Sequence, residues 1–348
     1  MNNAIVRARK IIDNYNGPHM RIMEVCGTHT HEIFRQGIRK ILPESIEMIS
    51  GPGCPVCVTP VGFIDEAIML ALEKNCTICT FGDLVRVPGT EDSLQTARGK
   101  GANVKVVYSP TDAEEFAMQN PDKQVVFLSV GFETTTPSNC IAVKNAIRDG
   151  ITNFSVLTAN KTMPGAYEAM KDSTDLFLYP GHVHAIIGTK ICEDLVKEGV
   201  SGVCAGFTGS ELLTAIAVAC VKYQEGRPFF VNCYPRVVTE EGSDDAKAIV
   251  SEMMEPCDAE WRGIGEIKNS GMKLRDAYSD FDARKKYALP HIDGKANPAC
   301  HCGEVLKGEI KPPECPLFGK VCTPEHPVGA CMVSSEGACS AFYLYGQG

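Results

Sequence analysis

The sequence contains no apolar run long enough to cross a bilayer. The longest, Leu212 to Val221, is ten residues and includes a threonine, against the roughly eighteen or more that a spanning helix needs. The opening stretch MNNAIVRARKIIDNY lacks the apolar core of a secretory signal, so the expected location is the cytoplasm. Basic clusters are missing as well. Lys plus Arg number 34 against 43 Asp plus Glu, a net charge of −9. Such a chain is a poor nucleic-acid ligand, so neither nucleic acid nor membrane is an expected partner. No G-x-x-x-x-G-K-[ST] occurs, which excludes a P-loop. Internal repeats and low-complexity tracts are also absent. With 44% apolar and 22% charged residues, the 348-residue chain has the composition of a folded protein. At about 150 residues per domain, its length implies two or three domains.

What is abundant is cysteine, with 17 residues. In a reducing compartment that many thiols are not a disulfide framework. They point to metal ligation, thiol redox chemistry, or both.

Short apolar runs at 21–25, 46–50, 77–81, 103–108, 124–130, 153–158, 175–179 and 202–205 read as strands. Between them, 32–41, 62–74, 92–99, 112–119, 138–149, 166–171, 189–199 and 210–224 read as helices. This alternation predicts an α/β protein with two doubly wound parallel sheets, a closed eight-fold barrel being the rival. The expected domains are 21–130 and 131–235, both α/β, and 236–348, helical and Cys-rich, joined by an N-terminal helix over 1–20. Within the last segment, 244–254 and 268–278 read as charged helices. Many strands end in distinctive turns, VCGTHTHE, ISGPGCPVC, VGFETTTP, LYPGHVH and CAGFTGSE. In an open α/β sheet such turns meet at the carboxyl edge, where ligands bind.

Six cysteines fall within the last part of the chain: Cys300, Cys302, Cys315, Cys322, Cys331 and Cys339. Zinc usually takes paired C-x2-4-C knuckles, which are missing here. An iron–sulfur cube needs four thiolates and tolerates unequal gaps. The gaps of 14, 6 and 16 residues along Cys300, Cys315, Cys322 and Cys339 suit a cube better. Cys302 and Cys331 are then left over, free to pair with each other beside it. Spacing alone leaves open which four of the six ligate.

Cys54 and Cys57 form C-P-V-C in a turn stiffened by glycine and proline, a pattern suited to redox or metal duty. The other reading is a tight turn with buried thiols. Cys26, His29 and His31 form C-G-T-H-T-H between a strand and a helix, which puts Cys26 and His29 on one face of the first turn. A thiolate with an imidazole suits iron, copper or zinc; the alternative is a threonine cap beside a packed cysteine. His182 and His184 sit at period two in PGHVH and point the same way if extended. Glu133 in GFETTTP is an acid–base candidate, although the neighbouring threonines suit a helix cap. Asp83 holds the equivalent place after its own strand. These four are candidate cleft residues. Cys76 and Cys79 read as core thiols facing opposite sides of a strand.

The motifs EVCGTHTH, GPGCPVCVTP, GFETTTP, PGHVHAIIG and the tail ending CMVSSEGACSAFY resemble the HypD family of hydrogenase maturation proteins, from about residue 21 to 345. The resemblance implies a scaffold for the Fe(CN)2CO group of [NiFe]-hydrogenase, built of two α/β domains and a cluster domain. It implies iron at Cys26 with His29, shared with a HypC-type chaperone, and cyanide from a thiocyanate carried on a HypE-type partner. It also implies a redox dithiol at Cys54 and Cys57 and a [4Fe-4S] cluster in the C-terminal domain. The expected state is a monomer within a hetero-complex, and the expected electron order is cluster, dithiol, iron. Whether such a scaffold turns over as an enzyme is left open. A general iron–sulfur thiol–disulfide oxidoreductase is the competing reading.

Overall fold

All eight apolar runs form strands, and β3 and β5–β8 are buried along their whole length, as a sheet covered by helices on both faces requires. The structure, a computed structural model, describes residues 3–346. The first two residues of the expected 1–20 helix and the last two of the Cys-rich segment lie outside the described residues. The strands are β1 (Met20–Glu24), β2 (Ile46–Ser50), β3 (Thr77–Thr80), β4 (Val104–Val106), β5 (Val125–Ser129), β6 (Phe154–Thr158), β7 (Leu176–Pro180), β8 (Ser201–Ala205), β9 (Phe230–Asn232), β10 (Met254–Trp261) and β11 (Gly265–Leu274).

They assemble into two open sheets and a hairpin. The first sheet has the order β2-β1-β7-β8-β9, the second β4-β3-β5-β6, and β10 pairs with β11. All pairings within the two sheets are parallel. The sheets do not follow chain order. Residues 77–158 supply the whole second sheet, and the first joins strands from before and after it. The expected division at residue 130 falls between β5 and β6, which are hydrogen-bonded neighbours.

Alternation along each strand builds the cores. In the first sheet Ile22, Leu176, Leu178 and Val203 face the helices Asn3–Asp13 and Gly209–Tyr223. Met23, Phe177, Tyr179 and Cys204 face the opposite way, into a core shared with the Cys-rich tail. The second sheet divides likewise, with Ile78, Val126 and Leu157 on one face and Cys79, Phe127 and Val156 on the other. Cys76 lies in the first of those cores and Cys79 in the second.

After residue 235 the expected helix over 244–254 forms as Asp244–Met253. The expected helix over 268–278 does not. Its first part is β11, antiparallel to β10, with a register shift between Cys257 and Ala259. Side chains of β10 alternate between half-buried and exposed, and Trp261 at its end is fully buried, its indole donating to Ser270 Oγ at 2.7 Å. That two-residue period outweighs the charged composition which suggested a helix.

Candidate metal and thiol site

In an open parallel sheet, the crevice for a ligand lies where strand order reverses. In the first sheet this is between β1 and β7, since the chain runs from β1 to β2 on one side and from β7 to β8 on the other. The turns beyond these two strands are CGTHTH and PGHVH.

Cys26 is the N-cap residue of the helix Gly27–Arg35, in extended conformation (φ −153°, ψ 127°), and its side chain makes no cap hydrogen bond. Burial pushes its thiol up to about 12, the carboxylate of Glu336 adds to this, and the nearby amides of His29 and Thr28 oppose it. The free site therefore holds a neutral thiol, and a cation that displaces the proton restores a charge balance. His29, on the first turn of that helix, is fully buried. Its Nε2 lies 3.0 Å from the carbonyl oxygen of Gly206, to which it donates, while Nδ1 is buried without a partner. Burial pushes the imidazole down to about 3, so it is neutral at ordinary pH with a free lone pair. A histidine fixed at one nitrogen and open at the other is the arrangement metal ligands use.

Phe207 lies between two histidines, its ring centroid 4.8 Å from that of His29 and 4.8 Å from that of His182. Glu211 closes a capping box with Thr208 at the start of Gly209–Tyr223 and also accepts the Phe207 amide at 3.0 Å. A local cap signal thus fixes a residue of the crevice. Over the other side lies the tail. Thr28 Oγ1 donates to Glu336 at 2.6 Å, and the His31 ring donates to the Ser335 carbonyl at 3.0 Å.

The GPGCPVC turn stands directly against Cys26. Gly27 N donates to Gly53 O at 2.8 Å, and a Cβ on Gly53 would come 2.0 Å from Cys26 N. Cys54 and Cys57 are both buried, and the Cys57 amide points at Cys54 Sγ across 3.3 Å. The Cys57 thiol reaches Cys54 on one side and Cys331 on the other; burial and both neighbours push it up. Cys331 accepts from Cys302 and Cys57, which holds it below the ordinary thiol range despite burial. Cys302 in turn lies 3.2 Å from Cys300 Sγ and contacts Cys339. Cys322 faces Cys302 and Cys300, and its sulfur accepts the Val328 amide at 3.4 Å. Cys315 is buried at the head of the turn that carries Cys322.

The thiols thus form a chain of close neighbours from Cys54 to Cys300. Among the described residues, no three His, Cys, Asp or Glu side chains already stand together at metal-binding spacing. The donor chemistry nevertheless suits an iron–sulfur cube. The converging groups are thiols, Cys300 and Cys302 half-buried and the others buried, with a buried cation, Arg262, in the same region. Backbone presses close too, for a Cβ on Gly329 would lie 2.5 Å from both Cys300 Sγ and Cys302 Sγ.

Of the remaining candidates, only His182 lies at this crevice. PGHVH opens the helix Gly181–Ile187, so His182 and His184 point apart rather than together. His182 stays at the crevice, and burial pushes it down to about 4. His184 is locked in the core, its Nδ1 donating to Gly188 O at 2.8 Å and its Nε2 3.2 Å from the Tyr167 hydroxyl. Asp83 and Glu133 follow β3 and β5, the switch point of the second sheet. Asp83 is half-buried in the turn Gly82–Arg86.

Glu133 is buried, with Oε1 accepting the Met163 amide at 2.8 Å and Oε2 unpartnered. Burial pushes its carboxyl up to about 7 from an ordinary 4.5. The folded state therefore holds this proton longer than the unfolded state. The associated stability is complete below about pH 4.5 and is lost as pH rises through 7. The loss is on the order of 3 kcal/mol at about 1.4 kcal/mol per unit. Glu133→Gln is expected to flatten this dependence and to be the more stable protein at pH 8. Urea unfolding at pH 4.5 and pH 8 checks it, and parallel pH profiles for the two proteins would sink it.

Phe207, Glu336 and Arg262 are the site neighbours that the sequence reading passed over. Glu336 stood inside the quoted tail motif, and Phe207 inside CAGFTGSE. Arg262 carried no local signal at all.

Two open parallel sheets with a Cys/His pair at one switch point and a train of largely buried thiols beside it define a thiol-rich α/β protein whose donor types suit metal or thiol chemistry. The chain belongs to the HypD family: the family model, described as "Hydrogenase formation hypA family", matches residues 3–346. It is 42% identical to hydrogenase maturation factor HypD of Cupriavidus necator over 344 residues, covering 95% of this chain and 91% of that protein. The protein of the same name from Rhodobacter capsulatus is 44% identical over 337 residues, 94% of this chain and 89% of its own length. That of Escherichia coli is 41% identical over 336 residues, 94% and 90% respectively.

Proposed function

We propose that this protein acts in hydrogenase maturation as the scaffold on which an Fe(CN)2CO group is assembled. Iron is held by Cys26 and His29 together with a HypC-type chaperone, and cyanide arrives from a thiocyanate on a HypE-type carrier. Membership of the HypD family supports the coarser part, a role in maturation. The observation that carries the finer part is His29, buried and neutral with Nδ1 free, one helical turn from the Cys26 thiol. A general thiol–disulfide oxidoreductase has no use for such a second, separate ligand pair.

The chain's residues have distinct tasks. Cys26 gives up its proton as iron binds, and the Gly206 carbonyl keeps His29 in the tautomer that offers Nδ1. Glu336, close to Cys26 and hydrogen-bonded to Thr28, is placed to receive a proton displaced there. Release of cyanide from a carrier R–S–C≡N breaks the S–C bond and takes up two electrons, leaving RS⁻ and CN⁻. Oxidation of Cys54 and Cys57 to a disulfide delivers two electrons and two protons, which balances one such transfer. Cys300, Cys315, Cys322 and Cys339 would hold a [4Fe-4S] cluster, with Cys302 and Cys331 between it and Cys57. When bound, a cluster of this kind supplies single electrons at low potential.

Infrared spectroscopy of protein purified anaerobically with its HypC-type partner tests the reading. Cyanide and CO stretches are expected on the complex, and their absence under hydrogenase-inducing conditions would overturn it. In a Cys54→Ala variant, iron binding is expected to persist while the cyanide bands fall by about tenfold or more. Fully cyanated iron on that variant would remove the dithiol step.

A further inference from the structure

Lys161 follows the carboxyl end of β6 and is only 3% exposed. Its Nζ donates to Glu260 O at 2.7 Å and stands 5.5 Å from the centroid of the Trp261 ring. Among the described residues no carboxylate pairs with it. The Glu260 side chain, whose charge does reach it, is exposed. Burial pushes the ammonium down to about 8, so it is still charged at pH 7. A buried cation without an anion is costly. The preceding residue, Asn160, is 1% exposed. Its Oδ1 accepts from Ser129 Oγ at 2.5 Å, and its Nδ2 is buried with no partner.

Both residues line a cavity of about 220 Å³ between the end of β6, the hairpin of β10 and β11, and the start of the helix Val61–Leu72. That is several times the roughly 30 Å³ share of one water. The other cations at its wall are already paired, Arg284 with Glu66 at 2.7 Å and Lys273 with Glu255 at 3.1 Å. No side chain caps the helix, and the start of a helix favours an anion. The rest of the wall is largely apolar, with Phe63, Ala159, Ala259, Met272 and Ile292. An inorganic oxyanion would need donors on every side. This cavity offers donors at one end and hydrocarbon at the other.

We propose that this cavity binds a small carboxylate with a short apolar stem, whose oxygens accept from the Lys161 ammonium and the Asn160 amide. The bound anion supplies the charge that Lys161 lacks, and the stem covers the apolar wall. The site is separate from the Cys26 crevice, so its failure would leave the iron reading in place.

Cys257 makes the test direct, because it is half-buried and lines the cavity. It pairs across the hairpin with Gly271, which also bridges to Lys161. Full-length protein, purified anaerobically, is treated with iodoacetamide at pH 7 with sodium butyrate, acetate or phosphate, sodium chloride holding the ionic strength constant. Peptide mapping follows alkylation at Cys257 and at Cys233, a half-buried reference outside the cavity. Butyrate at ten times its half-saturating concentration is expected to slow alkylation of Cys257 about tenfold, as mass action requires, and to leave Cys233 unchanged. Acetate should protect only at roughly tenfold higher concentration, since it buries two fewer methylenes. Lys161→Met is expected to raise the half-saturating concentration of butyrate about tenfold or more, the loss of a charge-assisted hydrogen bond. Wild-type protein that neither carboxylate protects would overturn the proposal, as would protection by phosphate alone or an unchanged half-saturating concentration in folded Lys161→Met. If Lys161→Met does not fold, Asn160→Ala takes its place. Butyrate binding weakened about fivefold supports the site, and unchanged binding overturns it.

Discussion

Cys26→Ser is expected to abolish the cyanide and CO infrared bands of the complex with the HypC-type partner, a loss of about a hundredfold or more. The Cys26 thiolate would be a soft, anionic ligand for iron, and a buried serine hydroxyl does not ionise to replace it. The fold should survive, because the substitution keeps the N-cap place and nearly the same volume, so circular dichroism and thermal unfolding should match wild type. His29→Ala should behave differently. It removes the neutral ligand but leaves the charge, so iron is expected to bind about 10- to 100-fold more weakly, as for other losses around a metal centre. A Cys26→Ser protein that retains both sets of bands would place the iron elsewhere.

Gly53→Ala is expected to lower stability by about 3 kcal/mol and to weaken iron binding along with it. The new Cβ would lie 2.0 Å from Cys26 N and 2.3 Å from Cys26 Cα, and backbone has no rotamer by which to move away. Overpacking of this kind costs about 1–3 kcal/mol even where side chains can yield. The damage also falls on the Gly27 N to Gly53 O bond that joins the two turns. Gly99→Ala is the control, since nothing lies within 4 Å of its Cβ position. Denaturant unfolding and iron affinity, measured on both, check the contrast. Equal stability of the two variants would mean that the turns are not in backbone contact.

The strands of both sheets were legible because short apolar runs rich in Ile, Val, Leu and Phe, buried on both faces in most strands, leave a strong local trace. β1 to β8 lie within a residue or two of the runs that announce them. The order of strands was not legible. Nothing in MRIME or LFLYP states that β1 pairs with β7, a contact made across the whole intervening second sheet. The hairpin after residue 254 was missed because its exposed positions are charged, which reads as a solvated helix until the alternation is counted. At the site, the residue types were legible and their pairings were not. CGTHTH and GPGCPVC display a Cys/His set and a pair of thiols in the sequence itself, whereas the approach of Cys57 to Cys331 depends on how the tail folds back. His182 and His184 look alike in sequence. Only the helix Gly181–Ile187 sends one to the crevice and the other into the core.

The interrupted first sheet also has a consequence for how the chain is made. On the ribosome, the second sheet becomes complete when its last strand, ending at Thr158, has emerged. It can close as a unit while β1 and β2 still wait, unpaired on their β7 side, for a partner not yet synthesised. Domains that are contiguous in sequence fold early in translation, and distant pairings are slow. The Cys26 turn gains its opposite wall only when β7 arrives, and its cover only when the tail is released. A nascent chain therefore exposes these thiols for most of its synthesis, and buries them last.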